Sequence, residues 1–216
     1  MEPEGPKTVR VAIPEIRRMM PDVLRMVGIP FGQAEICAEL ATWTEAAKGG
    51  TIVFLRDHRE RLEWIPRPRA LVLAEDPGEF VVDARGGSWL ELGPAILGFA
   101  MANASRAGYA AGSVRNVFGE LFIRYLESAA ARHRYKFQAR PVAAGGTGPA
   151  AVEAQGEYQV SCVLGAEPRS VSADEARYRA KLVSGLDIPE DEFLYFRSLH
   201  EMLRVPTSQR SRSHAG

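Results

Sequence analysis

Residues 80–132 constrain this chain more than any other stretch. An extended apolar run, Phe80-Val81-Val82, ends in Asp83 and a Gly-rich turn, Arg85-Gly86-Gly87-Ser88. A run with helical spacing follows, with Pro94 suited to opening a helix and Gly108 to closing it. Residues 109–114 read as a short strand, Arg115-Asn116-Val117 as a turn, and the stretch to Arg132 as a second helix. Strand, helix, strand and helix with short joins predict a parallel strand pair linked by a helical crossover.

Around this unit the chain divides by composition. Residues 1–8, rich in Glu, Pro and Gly, are expected to be a disordered tail. Residues 9–65 predict a helical segment. Its first helix starts at Pro14, carries Ile16, Met20, Val23, Leu24 and Val27 on one face, and meets a kink or break at Pro21. A second helix over 33–47 has the stripe Ile36, Leu40, Trp43 and Ala47. A third over 52–64 turns Leu55 and Leu62 inward and leaves a solvated charged face. The α/β core spans 66–142, with Leu71-Val72-Leu73 and 136–140 as further strands.

Residues 143–156, small and flexible, predict a linker. Gly145, Gly146 and Gly148 lack the strand–loop–helix frame and the Lys-Ser/Thr pair of a phosphate loop. Residues 157–164 and 176–183 both alternate, which predicts an antiparallel hairpin. Asp187 and Pro189 open a last helix with Phe193, Phe196, Leu199 and Leu203 inward, so that 157–205 pack on the core. Residues 206–216, rich in Ser and Arg, are expected to form a mobile tail. The fold class expected is α/β, with α+β the alternative: a helical N-terminal segment, a small mixed sheet with a βαβα unit, and a C-terminal hairpin and helix.

Charge narrows the partners. The 27 basic residues equal the 27 acidic ones, so no basic excess favours nucleic acid or an anionic membrane. No apolar run spans a bilayer or forms a signal peptide, so a cytoplasmic location is expected. Cys37 and Cys162 each sit alone in an apolar pattern, as buried reduced thiols do. The four histidines are scattered, so no metal motif is expected.

Several short segments, taken in order, carry a family resemblance. They are Val11-Ala12-Ile13-Pro14-Glu15-Ile16, Gly28-Ile29-Pro30, then Ala34, Ala38, Leu40 and Ala46. Asp83 with its glycines, Gly93-Pro94, Ala100-Met101, Ala107-Gly108 and Val114-Arg115-Asn116 continue the series. Residues 9–55 and 80–132 thereby resemble the N-terminal part of the type-2 malate/L-lactate dehydrogenase family. The resemblance implies a fold other than the ordinary Rossmann fold. It also implies NAD(P)-dependent oxidation and reduction of 2-hydroxy acids or imino acids.

The chemistry of that family departs here. Where it has Ser-His-Gly after the second helix, this chain reads Thr51-Ile52-Val53-Phe54-Leu55. Where it has His-Phe-Gly after Val-Arg-Asn, this chain reads Val117-Phe118-Gly119. The family's later Gly-Thr-Asn-Pro and Lys-Gly nucleotide-binding motifs have no counterpart, which reads as a truncated, degenerate relative. Residues 187–216, with Val205-Pro206-Thr207-Ser208, resemble the C-terminal end of short bacterial proteins of unknown function.

Four residues remain as candidates. His58, just past the lost Ser-His-Gly, is the candidate for a displaced catalytic base, although Arg56, Asp57, Arg59 and Glu60 around it argue for a solvated face. Arg115 and Asn116 stand at the C-terminal edge of a strand, where open α/β sheets place ligands. Arg115 could clamp a carboxylate or pair with Glu120, and Asn116 tolerates a left-handed turn. Asp83 could bind a ligand or cap its own turn.

The expected function is therefore a non-catalytic offshoot of these oxidoreductases. It would bind a small carboxylate or act as an accessory or assembly subunit, as a homodimer or beside another chain. The alternative is an NAD(P)-dependent oxidoreductase with a rebuilt site, the one case that calls for NAD(P). A purely structural protein–protein module is the second alternative.

Overall fold

The computed structural model describes residues 7–63, 70–142, 156–165 and 172–203. The expected linker at 143–156 and tail at 206–216 lie almost wholly or wholly outside these residues, as does most of the expected tail at 1–8.

The chain begins with β1 (Thr8–Val11) and then four helices, α1 (Ile13–Met26), α2 (Phe31–Lys48), α3 (Thr51–Asp57) and α4 (Arg59–Glu63). The alternating part comprises β2 (Leu71–Asp76), β3 (Glu79–Asp83), α5 (Trp89–Ala107), β4 (Tyr109–Val117), α6 (Ile123–Arg132), β5 (Tyr135–Pro141) and β6 (Gly156–Leu164). It closes with α7 (Ala173–Ser184), β7 (Leu186–Pro189) and α8 (Glu190–Met202). The fold is mixed α/β.

A five-stranded sheet runs in the order β2-β3-β4-β6-β5. β3 and β4 are parallel, Glu79 opposite Ala111 and Asp83 opposite Arg115, with α5 as the crossover. The other neighbours in this sheet are antiparallel. β1 and β7 form a separate antiparallel pair, Thr8 opposite Pro189, which ties the N-terminal segment to the last helix. One apolar core runs from Ile16, Leu24 and Leu40 in the helices to Phe80, Val114, Phe137 and Cys162 in the sheet.

The crossover is the predicted one, but its helix opens five residues early. Ser88 is the N-cap, and its hydroxyl accepts from the Glu91 N–H at 3.2 Å. That is one half of a Ser-x-x-Glu capping box, so Pro94 falls inside α5. α1 likewise runs through Pro21 without a break. The Arg115-Asn116-Val117 stretch belongs to β4, whose pairing with β6 shifts register between Val114 and Val117. Ile36 is exposed, because Ala34, Cys37 and Ala41 rather than Ile36 set the buried face of α2. Leu203 is exposed too, at the C-cap of α8.

The expected hairpin partner at 176–183 is α7. Arg177, Arg179 and Lys181 alternate with Ala176, Tyr178 and Ala180 and imitate a strand, but local helix signals win. Ser172 caps the helix by accepting from the Glu175 N–H, and Asp174–Arg177 and Glu175–Arg179 pair along its surface. β6 instead enters the sheet between β4 and β5.

Candidate functional site

Asp83, Arg115 and Asn116 come together at the C-terminal ends of β3 and β4. The Asp83 carboxylate accepts from the Asn116 side-chain amide at 2.9 Å and from the Arg85 N–H at 2.8 Å. These two donors hold the carboxyl below its ordinary 3.8. Asn116 has φ +54° and Arg85 φ +50°, so both sit in the left-handed region. The Arg115 guanidinium donates to Glu157 at 3.0 Å rather than to Glu120. The polar groups of the three residues are thus spent largely on one another and on Glu157.

The Gly-rich turn after β3 is closed in the same way. The Ala84 N–H donates to the Arg115 carbonyl, the Gly86 N–H to the Asn116 carbonyl, and the Gly87 N–H to the Ala84 carbonyl. A dinucleotide pyrophosphate needs such amides pointing outward. Here the N–H groups of residues 84–87 are all spent on the turn itself, on Asp83 and on the end of β4, so this turn offers none to a nucleotide.

An open cleft of about 670 Å³ lies beyond the end of β4. Phe118 and Gly119 form its floor. The Phe118 backbone is fixed from both sides, its N–H donating to the Gly87 carbonyl and its carbonyl accepting from the Trp89 N–H. Gly119 has φ +83°, and a Cβ there would meet the Phe54 ring at 3.1 Å, so both conformation and space select glycine.

His58 caps the end of α3, and its side chain turns to this cleft. Its ring lies 4.6 Å from that of Phe54 and 5.4 Å from that of Phe118. The Arg61 guanidinium lies 3.8 Å from the Phe118 ring centroid. So His58 is not simply part of the wet face; Arg56–Asp57 and Arg59–Glu63 pair on that face around it.

The far wall comes from α6, β5 and β6. It brings Arg124, which pairs with Glu127, together with Arg140 and Tyr158. The Tyr158 hydroxyl donates to Glu120 at 3.3 Å; burial first, and Glu120 second, push this phenol up to about 12. Lys48, Arg61, Arg124 and Arg140 outnumber Glu120 and Glu127 among the charged lining groups. The cleft has the size of a small-molecule site and a cationic balance suited to an acid. Among the described residues no three His, Cys, Asp or Glu side chains converge to hold a metal ion.

Arg61, Arg140 and Tyr158 were not among the sequence candidates. The one available signal was position, since Phe118-Gly119 follows directly on a strand end of the kind that hosts ligands. Nothing local marks Arg140 or Tyr158, which arrive through the pairing of β5 with β6.

No family model matches the sequence, and no curated protein does. Solved structures do match. A dehydrogenase from Sinorhizobium meliloti superposes with a TM-score of 0.70 at 14% identity, over 90% of this chain and 100% of that one. Malate dehydrogenase from Entamoeba histolytica gives 0.68 at 10% identity, over 93% and 99%. Sulfolactate dehydrogenase from Methanocaldococcus jannaschii gives 0.67 at 12% identity, over 90% and 97%. The fold is that of the malate/lactate dehydrogenase-like proteins. At these identities the likeness is one of fold. On this dehydrogenase fold His58 stands against Phe118-Gly119, the segment where the resemblance expects His-Phe-Gly.

Proposed function

We propose that this chain is a non-catalytic protein on the dehydrogenase fold that binds a small carboxylate in the cleft beyond β4, alone or as the accessory subunit of another chain. One observation carries the reading: Arg61, Lys48 and Arg140 gather around His58 and Tyr158, while the neighbouring Gly-rich turn keeps no N–H for a nucleotide. A carboxylate on Arg61 or Arg140 gains charge-assisted hydrogen bonds. Asp83, Arg115 and Asn116 then serve by fixing the turn that holds Phe118, rather than by touching the acid.

A second reading rests on His58. Its contact with Phe118 places an imidazole in the cleft, where it could exchange a proton with a 2-hydroxy acid. That reading makes the chain an NAD(P)-dependent oxidoreductase, whose nucleotide must be held by something other than residues 84–87.

A thermal shift series separates the two, with 2-oxo acids, NADH and NADPH each alone and in pairs. Ligand at a hundred times its dissociation constant stabilises by about 2.7 kcal/mol. For a chain of this length that is roughly 5–10 degrees. A shift with oxo acid and none with nucleotide is expected. A nucleotide shift of that size would favour the second reading, and no shift with any of them would overturn both.

A further inference from the structure

β5 is the last strand of the five-stranded sheet, and among the described residues only β6 pairs with it. The register shows which of its backbone groups are left over. The Val142 N–H donates to the Glu157 carbonyl at 2.8 Å, and the Gly165 N–H to the Arg134 carbonyl at 3.1 Å. Both contacts continue the register that sets Tyr135 opposite Leu164. Bonded positions alternate in an antiparallel ladder, so Lys136, Gln138 and Arg140 turn their backbone groups to β6. The N–H groups of Phe137 and Ala139, and the carbonyls of Phe137, Ala139 and Pro141, point away from it. Among the described residues these groups have no hydrogen-bond partner. Such an edge is where an extended peptide adds to a sheet.

The side chains say which peptide. Phe137 and Ala139 turn to the core, while Lys136 and Arg140 are exposed. The stretch from Gln138 to Pro141 is one wall of the cleft beyond β4, which Lys48 and Arg124 also line. Among the described residues Lys48, Lys136 and Arg140 make no ion pair. Cations along an edge discourage indiscriminate strand pairing, and they repel a basic segment while favouring an acidic one. Directly opposite residues share a face of the sheet. A segment in which apolar and acidic residues alternate therefore sets its apolar residues beside Phe137 and Ala139, near Leu121 and Ile123 of the cleft, and its acidic residues beside Lys136 and Arg140. Pro141 has no N–H, so the pairing ends there.

We infer that the β5 edge is a docking site for an extended acidic segment of another protein, which adds antiparallel to the sheet and lays its carboxylates against Lys136 and Arg140. This rests on the cationic balance of the cleft on which the proposed function also rests, and it gives the accessory role a surface.

Fluorescence polarisation of the full chain with a labelled hexapeptide of alternating Glu and Val tests this, with alternating Lys and Val as the control. The acidic peptide is expected to bind and the basic one not. The valines lie opposite Phe137 and Ala139, so the valine N–H groups are the ones that donate to β5. N-methylation at the valines should weaken binding by at least about ten-fold, as the loss of one or two hydrogen bonds implies. N-methylation at the glutamates should leave it nearly unchanged. Arg140→Glu, at an exposed position, should also weaken the acidic peptide by about ten-fold with wild-type circular dichroism. An acidic peptide that does not bind would overturn the inference. So would equal losses from the two methylations, or a folded Arg140→Glu protein that binds as wild type does. A thermal shift with an oxo acid but no peptide binding would overturn this inference alone and leave the small-carboxylate reading standing. Peptide binding without an oxo-acid shift would support the docking edge and remove the small acid.

Discussion

The rings of His58 and Phe118 meet edge to face with centroids 5.4 Å apart, although sixty residues separate them in the chain. Arg61 lies over the same Phe118 ring at 3.8 Å. This cluster joins the helical segment to the strand end that floors the cleft. Arg61→Ala removes a cation from the cleft and a cation–π contact of about 0.5–1 kcal/mol. The melting point should fall by only about 1–4 degrees. The shift induced by an oxo acid should shrink far more, to less than half. An undiminished shift would remove Arg61 from the binding site.

Asp83 should act on stability rather than directly on binding. Its carboxylate holds Asn116 in the left-handed region and caps the turn at Arg85. Losing these two hydrogen bonds in Asp83→Ala should cost about 1–3 kcal/mol near neutral pH. The folded carboxyl lies below its ordinary 3.8, so its contribution is complete above that value and is lost as pH falls through the lower folded value. Chemical denaturation of wild type and variant should therefore converge in acid. A difference that stays constant from neutral pH down to pH ~2 would assign the cost to packing instead.

The sequence carried the βαβα unit because its signals are local and agree: apolar strands, a Gly-rich turn, Gly108 at a helix end. The helix start at Ser88 was equally local, yet Pro94 drew the boundary to itself; a capping Ser with Glu91 three residues on is the stronger signal. Residues 176–183 failed for a different reason. A basic residue at every second position satisfies a strand pattern and, where few side chains are buried, an exposed helix equally well. Ser172 and Glu175 held the answer. Of the cleft proposed as the site, the sequence pointed to the place and to one lining residue, His58. Arg140 and Tyr158 depend on which strands pair, and β6 reaches its neighbours across the sheet from beyond residue 155.

No side chain of α7 is fully buried; Tyr178 packs partly against the core beside Trp43, and polar contacts supply much of the rest of its attachment. The Trp43 indole donates to Glu175 at 3.1 Å, Ser128 donates to the same carboxylate, and Arg17 reaches the Tyr178 hydroxyl. Burial works against the charge on Glu175, but the donors led by Trp43 and Arg179 outweigh it and keep the carboxyl below its ordinary 4.5. Glu175→Ala should free α7 while the core stays folded. Hydrogen exchange should rise across 173–184 by roughly ten-fold to a hundred-fold, as a loss of about 1.4–3 kcal/mol implies. An equal rise in α1 and β4 would mean that α7 is part of the core unit.

Two glycines should respond to alanine with opposite signs. Gly112 lies in β4 where it passes β3, and an added Cβ would run into the Phe80 carbonyl oxygen and come within 2.7 Å of the Phe80 ring. Phe80 is 2% exposed, so its ring has nowhere to retreat, and the parallel strands must part. Gly112→Ala should cost about 1–3 kcal/mol or more, the range for overpacking a close-packed core. Gly98 lies in α5, exposed, with nothing within 4 Å of the added atom. There alanine mainly removes backbone freedom from the unfolded chain, so Gly98→Ala should stabilise by about 0.5–1 kcal/mol. Melting curves of the two variants should fall on either side of wild type. If Gly112→Ala melts with wild type, β3 and β4 are not in the close parallel register described, and the turn that fixes Phe118 loses its support.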